Sequence, residues 1–219
     1  MAGFSPAKAA SVTTLDFVDD SAASTEGLGF FSGSLSFDQA VQQLTVVLKN
    51  ISPVSNGGFI TAFGLNIDGN AAASSLLSFS GFDTADLLLD TSTGPFGDVD
   101  FGVTTGGNFE GSGPPSPGIG VGESGTFVFD ITGPDAPNLV AASFFSELST
   151  GQGNNGNEAP LVVRFRGFED GGSDFVPGGP EAPPLPPDDP DDPTPPGGCL
   201  LYTSPSPRDQ RGSRMPSSA

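Results

Sequence analysis

Asn66, Asp68 and Asn70 place three oxygen-bearing side chains at alternate positions, as the start of a calcium loop does. The segment lacks the length and the bidentate Glu of an EF-hand loop, and Asn-Ile-Asp-Gly-Asn also makes an ordinary turn after a strand. The expectation is a turn, with Asn66, Asp68 and Asn70 as candidate metal ligands and Ca²⁺ as the one candidate cofactor. Asp98 and Asp100 could put two carboxylates on one side of a strand, with Asp83, Asp86 and Asp90 nearby in sequence. Paired carboxylates can hydrolyse glycosides. With 26 acidic residues such pairs arise by chance, and the usual sugar platforms are missing: the chain has no Trp and one Tyr. Arg164 and Arg166 share one face of a strand, where they either compensate neighbouring carboxylates or carry a binding role. The glycine-rich run 106–118 is no phosphate loop, because no Lys-Ser/Thr follows it. It reads as a long surface loop.

The wider composition narrows the chemistry further. There is no His in 219 residues, which removes most acid–base, metallohydrolase and triad catalysis. No catalytic residue stands out, and the chain is read as a non-enzyme. A formal charge of −19 leaves almost nothing to replace the counterions of a phosphate backbone, so no nucleic-acid partner is expected.

The elements that would position these residues are strands. Alternating or β-branched runs occur at 11–18, 28–31, 33–38, 43–50, 59–67, 76–79, 87–89, 99–103, 125–131 and 161–168, separated by Gly-, Asn- and Pro-rich turns. That pattern predicts an all-β fold, an antiparallel β-sandwich of jelly-roll or Ig-like kind, over residues 11–174. One short helix is expected near 139–148, where Pro137 and Asn138 precede an apolar stretch with helical spacing. Seventeen of the 19 Phe lie between Phe17 and Phe168 and supply the core. About 165 residues can bury close to 70% of the extended-chain surface without disulfides.

The flanks read differently. Residues 1–10 contain Ala7-Lys8-Ala9, a small-x-small pattern, and are read as the remnant of a signal peptide. Residues 175–198 are read as a Pro/Asp-rich linker; 177–196 holds ten prolines and five carboxylates and should be an extended, disordered spacer. Residues 199–219 carry the single Cys, the single Tyr and three of the seven basic residues. Cys199 to Asp209 and Ser213 to Ala219 can both be back-translated into codons resembling the two ends of a transposon-based sequencing adapter, separated by an index-sized gap. This tail is read as non-native adapter read-through. Without it the chain holds four basic and 25 acidic residues, a net of −21, and no cysteine.

The runs GSLSFD (33–38), LTVVLKNISP (44–53), GFITAFGLN (58–66), GIGVGESGTFVF (118–129) and VRFRGF (163–168) together resemble exported bacterial β-sandwich proteins of the PEP-CTERM type. The resemblance covers about residues 7–180. It implies export, display at the cell surface or in the extracellular matrix, and sorting by an exosortase system through a C-terminal signal that this sequence does not reach. On that reading the role is structural or adhesive, with extracellular polymer or other surface proteins as partners. A membrane would be met only through the missing C-terminal anchor. A calcium- or polysaccharide-binding module is the alternative.

Overall fold

Residues 11–151 and 157–182 are described by a computed structural model of the chain. They form β1 (Val12–Asp19), β2 (Phe31–Asp38), β3 (Gln43–Asn50), β4 (Gly57–Leu65) and β5 (Ala72–Ser80). Then follow β6 (Asp86–Ser92), β7 (Asp98–Thr104), β8 (Ser124–Thr132), β9 (Leu161–Phe168) and β10 (Ser173–Pro180). Every pairing is antiparallel, in one sheet of order β5-β8-β3-β2-β1-β10-β9-β4-β7-β6. The expected all-β antiparallel fold is therefore present.

Period-2 patterning sets the inner face. Leu35 and Phe37 on β2, Leu44, Val46 and Leu48 on β3, and Phe127, Phe129 and Ile131 on β8 are fully buried, while their neighbours along each strand are more exposed. The sheet curls so that β4 and β7 face β8. Phe63 meets Phe127 with ring centroids 4.8 Å apart, and Phe101 meets Phe129 at 5.1 Å, both edge-on. Edge-to-face rings gain about 0.5–1.5 kcal/mol per pair beyond their area burial. The terminal strands β5 and β6 lie near one another without a ladder between them. Both carry exposed apolar side chains, Leu77 and Phe79 on β5 and Leu89 on β6.

Close approach of strands explains Gly33. A Cβ there would fall inside contact distance of the Val47 carbonyl oxygen and the Phe17 ring, and backbone cannot step aside cheaply. Gly33→Ala is expected to cost about 2 kcal/mol through overpacking, read as a lowered urea midpoint with an unchanged slope.

Two expectations need correction, and a third holds in a shorter form. The short helix expected near 139–148 is present as a single 3₁₀ turn, Ala141–Phe144, preceded by another at Ala136–Asn138 with Val140 extended between them. Tertiary contacts outcompete the helical ladder here. The Ala141 N–H donates to Thr13 Oγ1, and Phe144 and Phe145 pack on Phe37 and Phe17. The run at 28–31 is no separate strand, since β2 starts only at Phe31. The sheet also does not end at 174. Strand β10 continues to Pro180, which moves 175–180 from the expected linker into the domain. Phe175 and Val176 are buried there; Pro177 precedes the three residues that β1 flanks, and Pro180 is the last residue of the strand, two places where a missing N–H is tolerated. The proposed signal remnant at 1–10, the linker beyond Ala182 and the tail at 199–219 lie outside the described residues.

Candidate functional site

The outer face of β4, β9 and β10 is covered rather than solvated. Ala62, Phe96, Phe109, Ala159, Val162 and Phe175 form a second apolar cluster there, separate from the main core. Phe109 comes from the glycine-rich loop between β7 and β8, which lies back across the sheet. Its ring stacks on Phe175 at 6.4 Å with planes 10° apart. The surface loop expected at 106–118 is thus anchored by its one aromatic residue.

Arg164 and Arg166 belong to this face, as their spacing on a strand requires. Arg164 is the register partner of Phe175, and its guanidinium carbon sits 4.0 Å from the centre of that ring. Its Nη1 donates to the Asp174 carbonyl at 3.3 Å. Its Nη2 lies 3.6 Å from Glu110 Oε2, a long ion pair in which the arginine side chain is 9% exposed and the glutamate 58%. Arg166 donates from Nη2 to the Gly113 carbonyl at 3.1 Å, so both cations are tied to the same glycine-rich loop. Burial pulls the Arg164 pKa below its ordinary value; Glu110 opposes that shift, Arg166 adds to it and Asp174 opposes it.

The pair is short of acceptors. Arg164 Nε and Arg166 Nη1 are buried and have no hydrogen-bond partner among the described residues. Both side chains line an open cavity of about 510 Å³, walled by Glu110, Pro115, Ser173 and several glycines. Lys49 is the one other basic residue in the described part of the chain. Charge compensation, one of the two roles expected for these arginines, is present through Glu110 but incomplete.

Three further polar groups, the buried Asp174 and Asn50 and the half-buried Asp19, serve the fold. Asp174 is fully buried and accepts four hydrogen bonds: Thr25 Oγ1 and Glu26 N–H on one oxygen, Leu28 N–H and Gly29 N–H on the other. Asp19 accepts from the Ser21 and Phe31 N–H groups. Asn50 donates to the Gly58 and Ile119 carbonyls and accepts from Ser52 N–H. A second cavity, of about 490 Å³, lies beside Asp19, Phe96 and Pro177, so one of its carboxylates is already committed to backbone.

The three residues picked out as calcium ligands point to different tasks. Asn66 is buried and accepts from the Asp100 N–H through Oδ1, while its Nδ2 has no partner among the described residues. Asp68 is exposed. Asn70 is exposed and donates both its N–H and its side-chain amide to Asp135 Oδ2. Asp100 accepts from Ile67 N–H, so one carboxylate of the Asp98/Asp100 pair braces the turn. Among the described residues no group of three or more Asp, Glu, His or Cys side chains is arranged to hold a metal ion. Nor is any described helix long and apolar enough to cross a membrane.

Sequence reasoning found both arginines but missed their setting. Glu110 and Phe109 were legible only as parts of a loop, and Asp174 only as the end of a domain. Comparison of the chain with protein-family models, with curated proteins and with solved structures finds no match.

Proposed function

We propose that this chain is a non-enzymatic exported protein of the cell surface or extracellular matrix, of the PEP-CTERM type, with a structural or adhesive role. Its β-domain, read as a jelly-roll or Ig-like sandwich, would be displayed on the acidic, proline-rich segment that follows Ala182. One observation carries the non-catalytic reading: the fully buried Asp174 and Asn50 and the half-buried Asp19 are spent on holding loops. Asp174, Asp19 and Asn50 between them satisfy nine backbone or hydroxyl groups. A group so engaged is poorly placed to exchange protons with a substrate. Export rests on the sequence resemblance and on an acidic surface that favours solubility in salt.

A second reading, a polysaccharide-binding module, is favoured by the cavity at Arg164 and Arg166. Calcium at the Asn66–Asn70 turn stays within this second reading.

Protease shaving and surface biotinylation of cells carrying the native gene test the leading proposal. The β-domain is expected in the labelled, exported fraction. Confinement to the cytosol would overturn export. Hydrolase turnover abolished by one Asp or Glu substitution would overturn the non-catalytic role.

A further inference from the structure

We infer that the cavity between β9, β10 and the glycine-rich loop is a binding site for the carboxylate of a sugar acid, and that Glu110 occupies the carboxylate position when the site is free. This rests on the binding reading of that face and not on export. Two guanidinium groups face one cavity in a chain of strongly negative charge, and the fold sacrifices solvation to keep Arg164 there. Such a pair calls for oxyanion acceptors, which arginine forks bind with defined geometry. Glu110 meets that call weakly. It approaches Arg164 at 3.6 Å, outside good hydrogen-bond range, and stays more than half exposed, so an incoming carboxylate can replace it with little loss.

The walls select the rest of the ligand. Apart from Pro115 and the aliphatic stems of the arginines, they offer backbone of Gly111, Gly167, Gly171 and Gly172 and the Ser173 side chain. The Phe175 ring is already covered by Arg164. Backbone and hydroxyl groups suit a polyhydroxylated ligand better than an apolar one, and about 510 Å³ lies within the size range of small-ligand sites. Net charge sets an upper limit on the ligand's own charge. A long polyanion would be repelled by the rest of the surface, whereas one or two carboxylates meet the local field of the arginines.

Titration calorimetry of the full chain tests this with galacturonate and digalacturonate against galactose and galactobiose, and with sodium sulfate. Digalacturonate is expected to bind at least about tenfold more tightly than galactobiose. Glu110→Gln should tighten it about three- to tenfold by removing the competing carboxylate, and Arg166→Gln should weaken it about tenfold. Arg166 is chosen over the more buried Arg164 because its loss leaves the cation–ring contact intact. Equal binding of acidic and neutral sugars would overturn the carboxylate assignment while leaving the binding reading standing. Equal binding of sulfate would overturn the sugar assignment. Affinity unmoved by Arg166→Gln would remove the site from this cavity, and silence towards every sugar would overturn the inference and the binding reading together.

Discussion

Replacing Phe129 with alanine is expected to destabilise the domain by about 4 kcal/mol and to lower its melting temperature by about 10 °C. Phe129 lies in the middle of β8 and is fully buried. It is the contact through which β8 meets both facing strands: Phe101 of β7 lies 5.1 Å away at 71°, and Phe63 of β4 lies 6.3 Å away at 81°. The cost has two parts, the lost transfer of a large apolar surface and the hole left behind. The second part stays large because the surroundings cannot collapse. Phe63 is itself held by Phe127, and Phe127 by Phe82, so no ring can swing into the space without opening another. Phe79, on the edge strand β5 and 43% exposed, is the control; Phe79→Ala should cost about 1 kcal/mol or less. Urea unfolding of the two variants measures both. A Phe129→Ala loss near that of Phe79→Ala would mean that the facing strands are not joined through these rings.

That ring cluster shows what the sequence makes legible. Thr126-Phe-Val-Phe-Asp-Ile131 alternates without interruption, and alternation on a strand has one meaning for burial. The inner faces of β2, β3 and β8 could therefore be read directly. Strands β4 and β9 are harder, since Leu161, Val162 and Val163 are all buried and alternation is lost where a loop covers the outer face. Strand β10 was hidden for another reason. Pro177 and Pro180 stand in it with two glycines, and proline normally marks the end of pairing; Pro177 falls before the overlap with β1 and Pro180 on the strand's last residue. The helix expected at 139–148 shortens to the 3₁₀ turn Ala141–Phe144 because spacing describes a face but not what the face will touch, and the core claims Phe144 and Phe145 individually.

The site was half legible for a related reason. Arg164 and Arg166 are two cations at strand spacing in a chain poor in cations, and sequence alone brings them to one face. Glu110 lies more than fifty positions away, and no local rule connects it to β9. The link is made by Phe109, whose stacking on Phe175 carries the next residue of the loop to the arginine. An apolar anchor thus sets an electrostatic pair. Phe109→Ala is accordingly expected to release Glu110 and to mimic Glu110→Gln in the sugar-acid titration, with an added stability loss of about 3 kcal/mol.

Asp174→Ala is expected to cost about 3 kcal/mol, with Asp174→Asn close behind at about 2 kcal/mol, although neither touches the apolar core. The carboxylate is the single acceptor for three backbone N–H groups and one hydroxyl of the loop at 25–29. An ionised carboxylate has lone pairs for all four, and charge-assisted bonds of this kind are stronger than neutral ones. Alanine removes every acceptor. Asparagine keeps one oxygen but turns an amide donor towards N–H groups, so shape is preserved while two bonds become repulsive. Gly29 is buried and cannot recover its bond from water unless the loop lifts off the Phe165 ring, against which its backbone rests. Thr25 is exposed, and Thr25→Val should cost only about 1 kcal/mol, from its bonds to Asp174 and from the Phe175 N–H. Hydrogen exchange separates local from global effects: in Asp174→Ala the Leu28 and Gly29 amides should lose protection well before those of β3 and β8. A loss no larger than that of Thr25→Val would show that water replaces the carboxylate without penalty. The magnitude matters beyond one residue, because the same construction recurs at Asp19, Asp100 and Asp135, each accepting backbone N–H groups at the start of a turn. A measured cost at Asp174 therefore puts a scale on how much of the chain's acidity is structural, and how little of it is left over to act on a ligand.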